Sequence, residues 1–354
     1  MSKEKTLIIG GGQAACQTAT SLKNKKYDGE IKIFCSENYL PYQRPPLSKK
    51  FLMGELDKER LFFKPEKFYT ENEISINLNS YVQRVDIENK EIFLENDKKE
   101  NYDNLVIATG TIPRKIDIEK KISDKVFYLR SIEDVLNIRD KIKESKKVTI
   151  IGGGYIGLEV AAIINNLGLQ VTIVEMASRI LERVTSETIS SFYTKVHRQA
   201  GVEVLTNTSV EGLSENNNGI EVITSNGEIV SDFVIVGIGV LPCDTLASES
   251  GVDVKNGVIV DEFCRTSNSS VFSAGDCTMH PNIFYKKNIR LESVHNAIEQ
   301  GKTVASSIMG EKISYNQVPW FWSDQYDTKL QIVGLLDNYD DIVVRGDTEK
   351  QSFA

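Results

Sequence analysis

The sequence predicts an α/β fold with two parallel-sheet units and a partial α+β segment at its C-terminal end, and three observations carry that reading. A short β-branched strand, a glycine-rich turn and a helix follow one another twice, beginning near Thr6 and near Val148. The second copy continues into a strand that ends on an acid, Glu175. Short apolar runs bounded by glycine or proline recur along the chain, as strands covered on both faces require.

In the first copy, Thr6-Leu7-Ile8-Ile9 runs into Gly10-Gly11-Gly12, and a helix is expected from about Gln13 to Lys25. Gly10-x-Gly12-x-x-Ala15 lets the backbone turn tightly and approach a pyrophosphate. The helix N-terminus supplies N–H groups and the positive end of its dipole. Ala14 and Ala15 open that helix, and Ala15 keeps it close to the strand. Taken alone, three glycines in a row suit a plain strand-to-helix connection equally well.

The second copy removes that ambiguity. Val148-Thr149-Ile150-Ile151 leads into Gly152-x-Gly154-x-x-Gly157, and an alanine-rich helix is expected to about Leu167. The next strand, Val171-Thr172-Ile173-Val174, delivers Glu175 about 20 residues past the glycines, where a carboxylate accepts both hydroxyls of an adenine ribose and repels a 2′-phosphate. NADH is therefore expected over NADPH, with nearby Arg179 read as a solvated surface charge. In the first copy the corresponding strand, Ile31-Lys32-Ile33-Phe34, ends in Cys35-Ser36-Glu37, so Ser36 or Glu37 must serve instead. Two Rossmann-like sites with unlike ribose readers point to two unlike dinucleotides, FAD and NADH.

Composition narrows the function further. The 42 Lys plus Arg against 50 Asp plus Glu give a net charge of −8, which argues against a nucleic-acid partner. No run reaches the roughly 20 apolar residues of a membrane span, and the opening MSKEKTLIIG enters a strand without a secretory signal, so a cytoplasmic protein is expected. Cys16, Cys35, Cys243, Cys264 and Cys277 contain no C-x-x-C, and His197, His280 and His295 show no metal spacing. No metal is expected, and most of the thiols are expected to be reduced and buried.

Beyond the glycine turns, ordered motifs run along the chain: Arg44-Pro45-Pro46-Leu47-Ser48-Lys49, Ala108-Thr109-Gly110, Val271-Phe272-Ser273-Ala274-Gly275-Asp276, Leu291-Glu292-Ser293-Val294 and Val318-Pro319-Trp320-Phe321-Trp322-Ser323-Asp324-Gln325-Tyr326-Asp327. With them the sequence resembles the oxygenase-coupled ferredoxin and rubredoxin reductases, from Thr6 to about Phe353. The resemblance implies that Ala108, Thr109 and Gly110 pass close to the flavin or its phosphates. It implies that Asp276, beside Gly275, bonds the ribityl and pyrophosphate region of FAD. The Val294 N–H would face the pyrimidine edge of the flavin, where helix dipole and free N–H groups stabilise the charge of the reduced ring. Val82 and Arg130 match further FAD contacts, with core packing and surface ion pairing as their bland readings. Trp320 matches an aromatic near the flavin, although paired tryptophans are often core anchors. Lys49 matches a lysine beside flavin N5 that pairs with a glutamate at Glu159, a meeting that nothing local in the sequence requires.

The order of motifs suggests an FAD domain at residues 1–112 and 243–317, an NADH domain at 113–242 and the start of a third domain at 318–354. Ile235-Val236-Gly237-Ile238-Gly239-Val240-Leu241-Pro242 would end the NADH domain, with Gly239 allowing close approach to cofactor. Relatives continue past the stretch matching Val343-Val344-Arg345-Gly346-Asp347, so Leu330–Leu335 and Ile342–Val344 are read as strands of an incomplete antiparallel sheet with an exposed apolar face. The implied activity is hydride transfer from NADH to FAD, then single electrons to a small iron–sulfur protein, ferredoxin or rubredoxin, serving an oxygenase. The rivals are an NADH oxidase or disulfide reductase, which needs a redox cysteine at the flavin, and an NADH-sensing flavoprotein of apoptosis-inducing-factor type.

Overall fold

The computed structural model describes residues 3–95, 98–116, 124–216, 219–336 and 339–354. The chain forms two compact units: Met1–Gln43, Lys58–Ile112 and Leu241–Phe321 in the first, Arg44–Asp57, Pro113–Val240 and Trp322–Ala354 in the second.

The first unit is built on a five-stranded parallel sheet in the order Val271–Ser273, Asn104–Ile107, Lys5–Ile9, Glu30–Phe34 and Ile74–Asn77. Its central strands are apolar at successive positions because both faces are covered. Ile8, Ile31, Ile33 and Val106 pack with Ala15, Ala19 and Leu22 of the helix Gln13–Asn24. Leu7, Ile9, Leu105 and Ile107 pack the other way, with Val85 and Ile92 of an antiparallel three-stranded layer. The helix Val294–Ile308 lies against Gln13–Asn24 at close range, since a Cβ on Gly301 would stand 3.0 Å from the Ala14 carbonyl oxygen.

The second unit repeats the plan, with parallel strands in the order Glu203–Leu205, Gln170–Val174, Lys147–Ile151, Phe233–Val236 and Val126–Tyr128. One face carries Ile151, Val234 and Val236 against Ile220 and Val222 of an antiparallel sheet made of Val210–Asn216, Gly219–Thr224 and Gly227–Ser231. The expected two-fold α/β repeat is present, and both glycine turns leave the middle strand of their sheet.

At the C-terminal end, Trp320–Gln325 and Thr328–Val333 pair as a two-stranded sheet. The strand read at Ile342–Val344 does not form; the next ladder is the short antiparallel pair Gly346–Asp347 with Ser352–Phe353. β-branched residues favour a strand only where a pleated, half-buried surface receives them, and here Val343 is 72% exposed. Among the described residues, no helix is long and apolar enough to cross a membrane.

Candidate functional site

The two glycine turns are superposable in their contacts. Gly10 has φ +129° and a Cβ there would fall 2.1 Å from the Ala108 carbonyl oxygen; Gly152 has φ +109° and its Cβ would fall 2.4 Å from the Gly237 oxygen. Only glycine permits that approach. Ala108-Thr109-Gly110 and Gly237-Ile238-Gly239 are therefore equivalent segments, each following the strand beside its glycine strand. Gly110 and Gly239 both have positive φ. The sequence singled out both segments without relating them.

Both following helices, Gln13–Asn24 and Tyr155–Asn166, start at a glycine, Gly12 or Gly154, with no side chain capping the first N–H groups and nothing within 4 Å of where a Cβ would stand. Uncapped N-terminal N–H groups beside open space fit a pyrophosphate. Gly157 keeps the second helix against its turn, since a Cβ would lie 2.2 Å from the Gly152 oxygen.

The copies differ at the strand end that faces the second glycine. In the second unit the Glu175 carboxylate accepts from Gly153 N at 2.6 Å and from Ala177 N at 2.8 Å. In the first unit Cys35 holds that place, with Sγ 3.0 Å from a Cβ on Gly11, and burial pushes its thiol up to about 12. Ser36 is exposed, and the Glu37 carboxylate accepts from Tyr42 Oη at 2.6 Å. Arg179 corrects the reading as a solvated charge: Nη1 donates to Ser190 Oγ at 2.6 Å and to Thr185 O at 2.8 Å, and Nη2 to Glu182 O at 3.1 Å. A guanidinium with five donors closes this loop because its carbonyls would otherwise face inward without partners.

Around Gly275-Asp276 lies a buried polar cluster that the sequence did not reveal. Gln300 Oε1 accepts from Gly275 N at 2.7 Å and Thr278 Oγ1 at 2.8 Å, and Gln300 Nε2 meets His280 Nδ1 at 3.1 Å. The amide nitrogen donates, so His280 Nδ1 accepts and its proton sits on Nε2, which has no partner among the described residues. Burial lowers the His280 imidazole to about 4. Arg290 Nη1 reaches the Asp276 carbonyl at 3.2 Å and Glu292 Oε1 at 2.7 Å, and Asn296 Nδ2 donates to Leu291 O at 3.2 Å. The Asp276 turn and the start of the Val294 helix are thereby tied together. Ser293 Oγ caps Asn296 N at 3.2 Å, and Val294 N–H, in the first turn, has no intrahelical acceptor. His295 packs edge-on against Trp320 with centroids 6.3 Å apart. Val82 is buried in the core beside a β-bulge that ends before Arg84.

In the second unit, Lys49 and Glu159 do meet. Lys49 Nζ lies 2.6 Å from Glu159 Oε2, on which Ser48 Oγ also donates at 2.5 Å, and Ser323 Oγ donates to Oε1 at 2.7 Å. Glu159 is 2% exposed. A buried carboxylate needs this company, since an unpaired charge at such depth is strongly disfavoured. Pro45 and Pro46 set the turn that presents Ser48 and Lys49, having no N–H of their own to satisfy. Arg44 Nη1 donates to the Arg130 carbonyl at 2.5 Å, and Arg130 N–H donates to Asp134 Oδ2 at 2.9 Å, which fixes the Arg130 backbone. Ser48 and Ser323 lie inside motifs already noted, but no spacing distinguishes a buried donor from a surface hydroxyl.

Two nucleotide turns of this geometry, with a buried glutamate after the second that pairs with Lys49, match known proteins along the whole chain. Residues 4–301 match the pyridine nucleotide-disulphide oxidoreductase model and residues 320–354 the reductase C-terminal model. The chain belongs to the pyridine nucleotide-disulphide oxidoreductase family. Within it, the chain falls among the ferredoxin and rubredoxin reductases. It is 38% identical to a rubredoxin–NAD(+) reductase of Pseudomonas putida, over 96% of this chain and 88% of that protein. The ferredoxin reductase for the CYP199A2 system of Rhodopseudomonas palustris shares 36% identity with a TM-score of 0.96, covering 99% of this chain and 87% of that one. Putidaredoxin reductase in its covalent complex with putidaredoxin gives 34% identity and a TM-score of 0.95, covering 100% and 86%. The chain is accordingly a pyridine-nucleotide-dependent flavoprotein oxidoreductase.

Proposed function

We propose that this protein is an FAD-dependent NADH reductase that delivers electrons to a small iron–sulfur carrier, ferredoxin or rubredoxin, upstream of an oxygenase. The carrying observation is one α/β nucleotide unit built twice, with an acid at the ribose position in one copy and a buried cysteine in the other. The unit with Gly10, Gly12, Ala14 and Ala15 takes FAD, whose adenosine end is read by Ser36 and Glu37. Ala108, Thr109, Gly110, Val82, Arg130, Gly275 and Asp276 contact its length, and the Val294 N–H and Trp320 face the flavin. The unit with Gly152, Gly154, Gly157 and Gly239 takes NADH, and Glu175 selects it over NADPH.

When bound, FAD supplies an acceptor for the NADH hydride and releases electrons one at a time. The protein's own part is positioning. Glycine turns and helix N-termini hold each pyrophosphate, and Lys49, fixed by a Glu159 carboxylate on which Ser48 also donates, orders the nicotinamide end. No protein acid or base is required. A disulfide-exchange mechanism finds no support in the thiols: Cys16, Cys35, Cys264 and Cys277 are buried and shifted upward by burial, the opposite of a reactive thiolate. The same unpaired thiols favour a reducing, cytoplasmic setting.

The test is anaerobic titration of the yellow holoprotein with NADH, followed by steady-state reduction of a purified rubredoxin and a purified [2Fe–2S] ferredoxin. Stoichiometric bleaching of the flavin and rapid NADH-driven reduction of one carrier are expected. A protein that binds no FAD, or that bleaches yet reduces neither carrier faster than free flavin does, overturns the reading.

A further inference from the structure

Glu159 is held from a second direction by a chain of buried side chains that does not include Lys49. Ser323 Oγ lies 2.7 Å from Glu159 Oε1, Gln325 Nε2 lies 3.3 Å from Ser323 Oγ, and His197 Nε2 lies 2.9 Å from Gln325 Oε1. Ser323, Gln325 and His197 are each 0% exposed. Ser323 and Gln325 face inward together because they are two apart on the strand Trp320–Gln325, and His197 sits in the last turn of the helix Glu187–Gln199.

The direction of every proton in this chain is fixed by its two ends. A carboxylate only accepts, so the single Ser323 proton is committed to Glu159. Ser323 Oγ therefore accepts from the Gln325 amide. Gln325 Oε1 is then left to accept, so His197 must carry its proton on Nε2 and leave Nδ1 bare. His197 Nδ1 is buried with no partner among the described residues, and burial holds the imidazole below its ordinary range, so the ring stays neutral. Three polar side chains thus point donors one way, towards one oxygen of one carboxylate.

We infer that Ser323, backed by Gln325 and His197, is a positioning residue for NADH oxidation. It anchors Glu159 Oε1 so that Oε2 is presented to Lys49 and Ser48. The terminal torsion of a glutamate is broad and two-fold; two donors on Oε2 alone leave it free to swing, and the third removes that freedom. Apolar side chains of similar size would fill the same space without the desolvation cost of a hydroxyl, an amide and an imidazole. This inference rests on the proposal that Lys49 and Glu159 order the nicotinamide.

The experiment is anaerobic stopped-flow reduction of the holoenzyme flavin by NADH, comparing Ser323→Ala, Ser323→Thr and Glu159→Gln with the native protein. Ser323→Ala is expected to lower the limiting rate about 10-fold through misplacement of the reacting groups, with the NADH dissociation constant nearly unchanged, and Ser323→Thr to restore the rate by returning a hydroxyl. If Glu159→Gln is slow and Ser323→Ala is native, the inference fails while the role of the pair stands. If both are native, the role of the pair fails and the inference with it. A loss that Ser323→Thr does not rescue also overturns the inference. Should Ser323→Ala not fold, nitrogen-15 NMR of histidine-labelled native holoenzyme decides: His197 is expected as the neutral Nε2–H tautomer near pH 7, and the Nδ1–H tautomer breaks the chain at its first link.

Discussion

Gln300→Leu removes the side chain that holds the Gly275 turn. Gln300 is 0% exposed and accepts from both Gly275 N–H and Thr278 Oγ1 while donating to His280. Thr278 has one hydroxyl proton and a second acceptor, the Gly275 carbonyl at 2.8 Å, so it keeps a partner in the variant. Gly275 N–H and His280 Nδ1 do not. Each buried group left unsatisfied costs about 1–3 kcal/mol, so the variant loses about 2–6 kcal/mol before relaxation. Leucine fills nearly the same volume, which keeps a cavity penalty small. The share belonging to the turn, about 1–3 kcal/mol, corresponds to roughly 5- to 150-fold in an equilibrium constant. Titrating the apoprotein with FAD by flavin fluorescence should therefore show a dissociation constant raised at least about 5-fold, with NADH affinity of the other unit unchanged. Gln300→Glu retains an acceptor for Gly275 N–H and should keep more of the affinity. Native FAD affinity in a folded Gln300→Leu protein would refute the idea that this amide sets the Asp276 turn.

Three further outcomes follow from the same contacts. Glu175→Ala should narrow the NADH-over-NADPH ratio of kcat/KM by about 10-fold or more, and should also weaken NADH itself, because Glu175 braces Gly153 N and Ala177 N beside the proposed ribose position; an unaltered protein that prefers NADPH contradicts the assignment. His280 has a folded value of about 4 against an ordinary 6.5, so the unfolded chain binds the proton first. Stability from this site is then fully present above about 6.5 and is lost as pH falls towards 4, by about 3 kcal/mol, and denaturant midpoints of His280→Gln should lack that part of the pH slope. Replacing all five cysteines with serine or alanine should leave the rate of flavin reduction by NADH within about 2-fold in a protein that keeps its FAD, since four of the thiols are buried, Cys243 is partly buried, and the proposed hydride step uses none of them; loss of that step would revive the disulfide-reductase reading.

Much of the fold was legible because it depends on local pattern. Strands at Thr6–Ile9 and Val148–Ile151, the glycines after them and the helices that follow obey short-range rules, and all formed within a residue or two of their expected bounds. The C-terminal end was less so: Ile342–Val344 has the residues of a strand but no ladder to join, and pairing is a property of the partner as much as of the segment. At the site, backbone requirements were readable and side-chain company was not. Gly10 and Gly152 are marked by the absence of a Cβ. Gln300, Ser48 and Ser323 look like any helix glutamine or turn serine until distant segments bring Gly275 and Glu159 to them. Arg179 was misread for the same reason, because its partners are carbonyls, which carry no sequence signal.

The duplication sharpens what distinguishes the two nucleotide sites. The strand orders agree, the glycine turns agree, and the segments at Ala108 and Gly237 approach their glycines alike, so none of these features can set one dinucleotide apart from another. Beyond Ala15 against Gly157 in the third motif position, the difference that faces the turn is Cys35 against Glu175. Glu175 holds its carboxylate at the mouth of the turn, braced by two backbone N–H groups. Cys35 places only a thiol there, neutral at working pH because burial pushes it up to about 12, and the nearest carboxylate is two residues on at Glu37, braced by Tyr42. On the proposed reading, moving the acid outward shifts where a ribose can be gripped relative to the pyrophosphate at each turn. On the proposed reading a dinucleotide fitted to one copy would therefore not be held identically in the other, so that one repeated fold can keep FAD in its first copy and exchange NADH in its second.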